Sequence, residues 1–292
     1  MSNKIISGTQ RQIRHGSGII ESNVQLAEQT FRLTLIIEGT LPTINAGQFV
    51  MLRLPNRTDP LLGRPFAIYR VSENGHETML EVIYLTVGKM TERLAGFRSG
   101  ETLDFWIPLG NGFSPTKAKH LMMVAGGIGQ TPFLTFAEKY GRTDSRCTLL
   151  YGTRNVDRVI CVEDFKKLGV DVHLATDDGS AGYHGSVTDL ISNVYQFGES
   201  TQILCCGPRP MLYSAFQIAR QLNLPCEVSL ETSMSCGLGI CFGCVVQCRC
   251  EKDDKTDSKI NNEIDNKMDK ENIDYRRTCI DGPVFDAYRL CW

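Results

Sequence analysis

Residues 124–132 read Val124-Ala-Gly-Gly-Ile-Gly-Gln-Thr-Pro132, and this stretch decides the architecture. The apolar run His120 to Ala125 leads into it as a short buried strand, and Thr131 to Tyr140 leaves it with helical periodicity. Small residues at a strand-to-helix turn let a pyrophosphate approach the backbone, where unpaired N–H groups and the helix dipole favour an anion. The same turn also occurs with no ligand, so the flanking sequence has to decide. Downstream, Cys147 to Tyr151, Asp171 to Ala175 and Gln202 to Cys206 repeat the strand pattern, with helices over Val162 to Leu168, Ser186 to Val194 and Pro210 to Leu222. This alternation predicts a parallel sheet with crossover helices over 115–224. Cys205-Cys206-Gly-Pro-Arg-Pro-Met211 places a second strand-to-helix turn at the same sheet edge, the geometry of a nucleotide crevice. Asp177-Asp178-Gly179 is an acidic turn able to meet a ribose, although most such sequences are turns and nothing more.

Upstream, over 1–114, short β-rich runs are separated by turn residues. Phe31 to Glu38, Gln48 to Leu54, Phe66 to Val71, Met79 to Val87 and Thr102 to Ile107 are divided by Pro55-Asn56, Glu73-Asn74-Gly75 and Ser99-Gly100. That spacing predicts an antiparallel barrel or sandwich, with one helical stretch at Met90 to Gly96. Arg64-Pro-Phe-Ala-Ile-Tyr69 is a strand opened by a guanidinium that can hold a phosphate, while alternate side chains can line a flat ring. In Ile83-Tyr-Leu-Thr-Val-Gly-Lys-Met-Thr91 a strand passes into a short helix whose start can receive another phosphate.

Twelve cysteines occur in 292 residues, seven of them within the last 57 positions. Cys236-Gly-Leu-Gly-Ile-Cys241-Phe-Gly-Cys244 has the Cys-x4-Cys-x2-Cys spacing with which plant-type ferredoxins bind a [2Fe–2S] cluster. Cys248, Cys250 and Cys279 are the candidates for a fourth ligand. Cys248 and Cys250 follow on the strand leaving the loop, whereas Cys279 reads as part of the next hairpin strand, which favours Cys279. A zinc site would pair its cysteines twice at short spacing, and the second pair is missing. Residues 251–274 interrupt this segment with nine acidic and five lysine side chains, a net of −4 and no aromatic residue. Such a stretch cannot bury enough surface to order itself and reads as a solvated loop rather than an acidic docking tail.

Composition narrows the class. A net charge of −2, with 42% apolar and 22% charged residues, describes a globular chain of two or three domains and argues against a disordered or nucleic-acid-binding protein. Met1 to Gln10 lacks a signal-peptide core and no apolar run reaches bilayer length, so the expectation is cytoplasmic with no membrane partner. Clustered cysteines in that setting point to metal or redox chemistry. His15, His76, His120, His173 and His184 show no mutual spacing and are expected at surface or turn positions. Cys147, Cys161 and Cys226 read as small core residues.

Taken in order, these elements resemble the ferredoxin reductase superfamily: a flavin-binding barrel, a pyridine-nucleotide domain and, here, a carboxy-terminal [2Fe–2S] module. More narrowly, the chain resembles the family of electron-transfer subunits of two-protein, NAD-dependent dihydroorotate dehydrogenases. Arg277-Thr-Cys279-Ile-Asp-Gly-Pro-Val-Phe-Asp286 is similar to the segment with which that family ends. The resemblance implies a flavin (FAD) domain at 1–114, an NAD domain at 115–224 and a cluster domain at 225–292 with the insertion 251–274. It implies flavin contacts at Arg64, Pro65, Phe66 and Ala67, the last where Ser is usual. It adds Ile83, Tyr84 and Leu85, and a phosphate turn at Met90 and Thr91, where Gly-Thr is usual and the Met side chain must point away. It implies a nucleotide loop at Gly126, Gly127, Ile128 and Gly129, with Cys206, Gly207 and Pro208 near the nicotinamide. It implies cluster ligands Cys236, Cys241, Cys244 and Cys279.

The partner so implied is a catalytic subunit bearing FMN, in a heterotetramer of two chains of each kind. Electrons from dihydroorotate would pass through the [2Fe–2S] cluster and FAD to NAD+, in pyrimidine synthesis. The competing readings keep the cofactors and change the partner, as in a ferredoxin:NADP oxidoreductase, a sulfhydrogenase or a sulfite reductase. A different class is a zinc-stapled or redox-sensing module without turnover.

Overall fold

The computed structural model describes residues 13–141, 145–250 and 273–292. Strands β1 (Arg14–Ala27), β2 (Thr30–Glu38), β3 (Phe49–Arg53), β4 (Arg64–Asn74), β5 (Glu77–Leu85) and β6 (Thr102–Leu109) close an antiparallel barrel in the order β1-β2-β5-β4-β3-β6. Period-two alternation produces its core: Leu33, Leu35 and Ile37 of β2 meet Leu80 and Val82 of β5 and Leu103, Phe105 and Ile107 of β6. Helix α1 (Lys89–Ala95) packs Met90 and Leu94 into that core.

The second unit is a seven-stranded sheet. Its order is β10 (Tyr183–His184), β9 (Asp171–Thr176), β8 (Arg146–Thr153), β7 (His120–Gly126), β11 (Thr201–Cys206), β12 (Cys226–Ser229) and β15 (Val284–Asp286), parallel except for the β12–β15 pair. Alternate residues of β7 serve two cores. Leu121, Met123 and Ala125 pack with Phe133 and Phe136 of α2 (Thr131–Tyr140) and Phe165 of α3 (Val162–Lys166). Met122 and Val124 pack with Ile191 of α4 (Asp189–Val194) and Leu212 and Phe216 of α5 (Arg209–Gln221). The barrel joins the first of these layers through Tyr69 and Ile83. Strands β13 (Val245–Arg249) and β14 (Ile273–Arg277) form a hairpin from Val245↔Arg277 to Arg249↔Ile273. Of the expected solvated insertion, residues 251–272 lie outside the described residues.

Two expectations need correction. His120 is not at the surface: it opens β7 fully buried, with Nε2 3.0 Å from Thr148 Oγ1 and Nδ1 3.1 Å from Arg146 Nη2. Burial, then the Arg146 charge, push its pKa down to about 4, so it sits neutral in the sheet. Cys279 lies beyond β14 rather than on it, because the Ile280 and Asp281 N–H groups turn back to the Arg277 carbonyl and end the strand.

Candidate functional site

Two cavities open where the barrel meets the carboxyl edge of the sheet. The first, of about 560 Å³, is lined by Arg64, Pro65, Phe66 and Ala67 of β4, by Ile83, Tyr84 and Leu85 of β5, by Met90 and Thr91, and by Ile128, Gly129 and Cys206. The second, of about 610 Å³, is lined by Gly126, Gly127, Ile128, Gly207 and Pro208, with Asp177 and Arg154 just past β9 and β8 and Arg158 in the short 3-10 helix Val156–Arg158. Leu85, Val87, Ile128 and Glu231 line both, so the cavities share a wall. The structure thus distributes every sequence-derived flavin and nucleotide position over two adjoining spaces.

Local conformation explains the residue choices. A Cβ on Gly129 would lie 2.1 Å from the Cys206 carbonyl oxygen, so only glycine lets the two turns meet. Gly127 takes φ +55, turning the chain into a short 3-10 helix, Gly127–Gln130, ahead of α2. Met90 packs into the barrel core, and Thr91 Oγ1 accepts the Val87 and Gly88 N–H groups at 3.0 and 3.3 Å, fixing the turn beside the cavity. Burial pushes the Cys206 thiol up to about 12, with the Glu231 carboxylate adding to the effect, so the cavity meets a neutral thiol there.

The cysteine loop lies against the barrel, where Trp106 Nε1 donates to the Cys236 carbonyl at 2.9 Å. Its thiols come in two pairs. Cys236 and Cys241 Sγ are 3.3 Å apart on the outer side, and Cys244 and Cys279 are buried and hydrogen-bonded to each other. Thr278 binds the two segments of the inner pair together, its N–H and hydroxyl both donating to the Cys244 carbonyl at 2.9 Å. Cys248 is buried in the separate core under α5, and Cys250 is exposed past the end of β13. Burial disfavours ionisation of Cys236, but the Leu238, Cys241 and Ile240 N–H groups and the Cys241 thiol outweigh it and bring its pKa down to about 7. Cys279 is pushed up to about 12, by burial first and then by its bond to Cys244.

Among the described residues, no group of three or more His, Cys, Asp or Glu side chains is disposed about a single metal ion. Two thiol pairs with N–H groups aimed at the outer sulfurs, 3.3 Å from Leu238 to Cys236 and 3.5 Å from Gly243 to Cys241, are a donor set that would fit a binuclear iron–sulfur centre. Sequence reading overlooked Phe49, Glu231, Met234 and Pro283, which also line the first cavity. Phe49, Glu231 and Met234 carry no motif, whereas Pro283 lies in the Arg277–Asp286 segment already noted for its resemblance.

Comparisons with known proteins agree with this geometry. Residues 123–216 match the family model described as an oxidoreductase NAD-binding domain. A solved NADH-dependent reduced ferredoxin-NADP oxidoreductase superposes with a TM-score of 0.76 at 25% identity, covering 94% of this chain and 90% of that one. The ferredoxin reductase of carbazole 1,9a-dioxygenase superposes at 0.63 with 18% identity, over 73% and 67% of the two chains. The fold and site define an oxidoreductase with the ferredoxin reductase-like architecture. Dihydroorotate dehydrogenase B (NAD(+)) electron transfer subunits from Caldanaerobacter subterraneus and Geobacillus kaustophilus are 32% and 33% identical, over 91% and 92% of this chain and 94% and 95% of theirs. The Fusobacterium nucleatum subunit is 30% identical over 92% and 95%. The chain belongs to the family of dihydroorotate dehydrogenase B electron transfer subunits. Among the described residues no helix is long and apolar enough to cross a membrane.

Proposed function

We propose that this chain carries electrons from a catalytic partner that oxidises dihydroorotate on FMN to NAD+, in a heterotetramer of two chains of each kind. The observation that carries the reading is the shared wall of the two cavities, with the paired thiols packed behind the first. A bound flavin would supply the link, because flavins exchange a hydride with NAD and single electrons with iron–sulfur clusters.

The chain's residues divide the work. In the first cavity Arg64 offers a guanidinium to the FAD phosphates, Pro65 to Ala67 and Ile83 to Leu85 line the ring, and the turn at Met90 and Thr91 takes the pyrophosphate. Gly126 to Gly129 open the second cavity to NAD, and Cys206, Gly207 and Pro208 border the nicotinamide at the shared wall. Cys236, Cys241, Cys244 and Cys279 would hold a [2Fe–2S] cluster, with deprotonation of Cys279 opposed by its burial. Domains then run 1–114 for FAD and 115–224 for NAD, with 225–292 carrying the cluster loop while lending β12 and β15 to the nucleotide sheet.

The test is anaerobic co-purification with a co-expressed FMN-bearing dihydroorotate dehydrogenase catalytic subunit. Dihydroorotate with NAD+ should bleach the flavin and cluster bands and yield NADH. The likeness to the ferredoxin-NADP oxidoreductase favours one second reading, in which the same chain serves another reductase complex. Bands that respond to NADH and ignore dihydroorotate would select it. Iron analysis of Cys279→Ser and Cys248→Ser tests the ligands: iron should fall in the first and stay in the second.

A further inference from the structure

Met234 and Phe49 each belong to two surroundings at once. Both line the first cavity, and both are members of the packed apolar cluster that contains the inner thiols Cys244 and Cys279. Met234 is 8% exposed and Phe49 4%, so both are almost wholly packed against other side chains. The outer pair stands elsewhere: Cys241 is exposed and flanked by Ile240 and Phe242, 74% and 64% exposed. The thiol site therefore has an inner face toward the first cavity and an outer face toward solvent.

We infer that Met234, with Phe49 beside it, is the contact through which electrons cross between the first cavity and the inner thiol pair. This rests on the reading that the cavity holds flavin and the thiols an iron–sulfur cluster. Electronic coupling weakens steeply across voids and much less across packed atoms, and a thioether is polarizable and adapts to irregular gaps. Each electron lost on one side is gained on the other, one at a time, and neither Met234 nor Phe49 changes bonding or oxidation state. Met234 is thus a positioning residue whose volume matters more than its reactivity.

The test uses the intact protein purified anaerobically, wild type and the variants Met234→Ala, Met234→Leu and Phe49→Leu. Flavin and iron per chain and both midpoint potentials are measured first. NADH is then mixed in, and the reduced iron–sulfur signal is followed by freeze-quench electron paramagnetic resonance. Met234→Ala, which leaves a cavity, should slow appearance of that signal by about tenfold or more at unchanged potentials and cofactor content. Met234→Leu, which refills the volume, should stay within about threefold of wild type, and Phe49→Leu should fall between. A wild-type rate in Met234→Ala with full cofactors overturns the inference and leaves the proposed function standing. If Met234→Ala loses flavin or iron, Phe49→Leu decides, and an unchanged rate there overturns the inference. Wild-type protein that binds no flavin or no iron overturns both.

Discussion

Tyr69 of the barrel donates its hydroxyl to Asp164 of α3 at 2.6 Å, and Arg32 of the barrel reaches the same carboxylate at 3.2 Å. Strands β2 and β4 are thereby tied to the nucleotide sheet's helical layer. Burial, followed by the neighbouring Cys161 and Asp164, holds the Tyr69 phenol far above its ordinary pKa, so it remains a donor at every working pH. Tyr69→Phe removes the donor while Asp164 keeps Arg32. Denaturant unfolding should show a loss of about 1–2 kcal/mol, with flavin content unchanged.

Asn111, just past β6, fastens the segment that carries Cys279. Its Nδ2 donates to the Asp281 and Val284 carbonyls at 3.1 and 2.9 Å, and its Oδ1 accepts the Val284 N–H at 3.0 Å. Asn111→Ala should cost about 2–4 kcal/mol, since partly buried backbone groups lose their partners. Iron per chain should fall further than flavin per chain, because the thiol segment loses its anchor and β4 does not.

Glu227 sits on β12 directly across from Asp286 of β15, and burial, with Asp286 adding, raises its pKa to about 7 although the Ser114 N–H opposes the shift. A folded pKa above the unfolded value of about 4.3 means the unfolded chain gives up its proton first as pH rises. Stability is therefore fullest below about pH 4 for this group and declines through pH 7. Glu227→Gln keeps an acceptor for Ser114 and removes the charge. At pH 8 it should raise stability by about 1–2 kcal/mol after allowance for partial solvent screening, with no gain at pH 4. Thermal melts of both proteins at the two pH values measure this.

Asp177 and Arg158 both line the second cavity, and Arg158 is paired with Glu28 at 2.8 Å. A carboxylate there accepts ribose hydroxyls and repels a 2′-phosphate. The coenzyme should be NADH rather than NADPH. Asp177→Ser should narrow the ratio of the two kcat/KM values by about tenfold, equivalent to about 1.4 kcal/mol.

Barrel, sheet and cysteine loop were legible because each rests on local pattern: alternation in Thr30–Glu38, the glycine turn at 126–129, and thiol spacing. Strand β1 was not. Only Gly18 and Ile20 of its 14 residues are buried, and two irregularities in its pairing with β2 break the alternation. His120 was misjudged because an isolated imidazole carries no sign of the Thr148 and Arg146 partners that a parallel neighbour supplies. Met234 and Phe49 join one wall only through tertiary contact, which no window of sequence displays.

The last strand, β15, has a consequence for how the molecule behaves in a crowded solution. By pairing with β12 it covers what would otherwise be an open run of peptide groups, and it is itself three residues long. At the opposite side the sheet ends on β10, two residues long. β15 covers Glu227 to Ser229 of β12, whereas β10 covers only Ala175 and Thr176 of β9; short border strands are one way natural sheets blunt edge-to-edge pairing. The carboxy-terminal strand thereby caps the sheet on the β12 side, limiting how far another copy could extend it there.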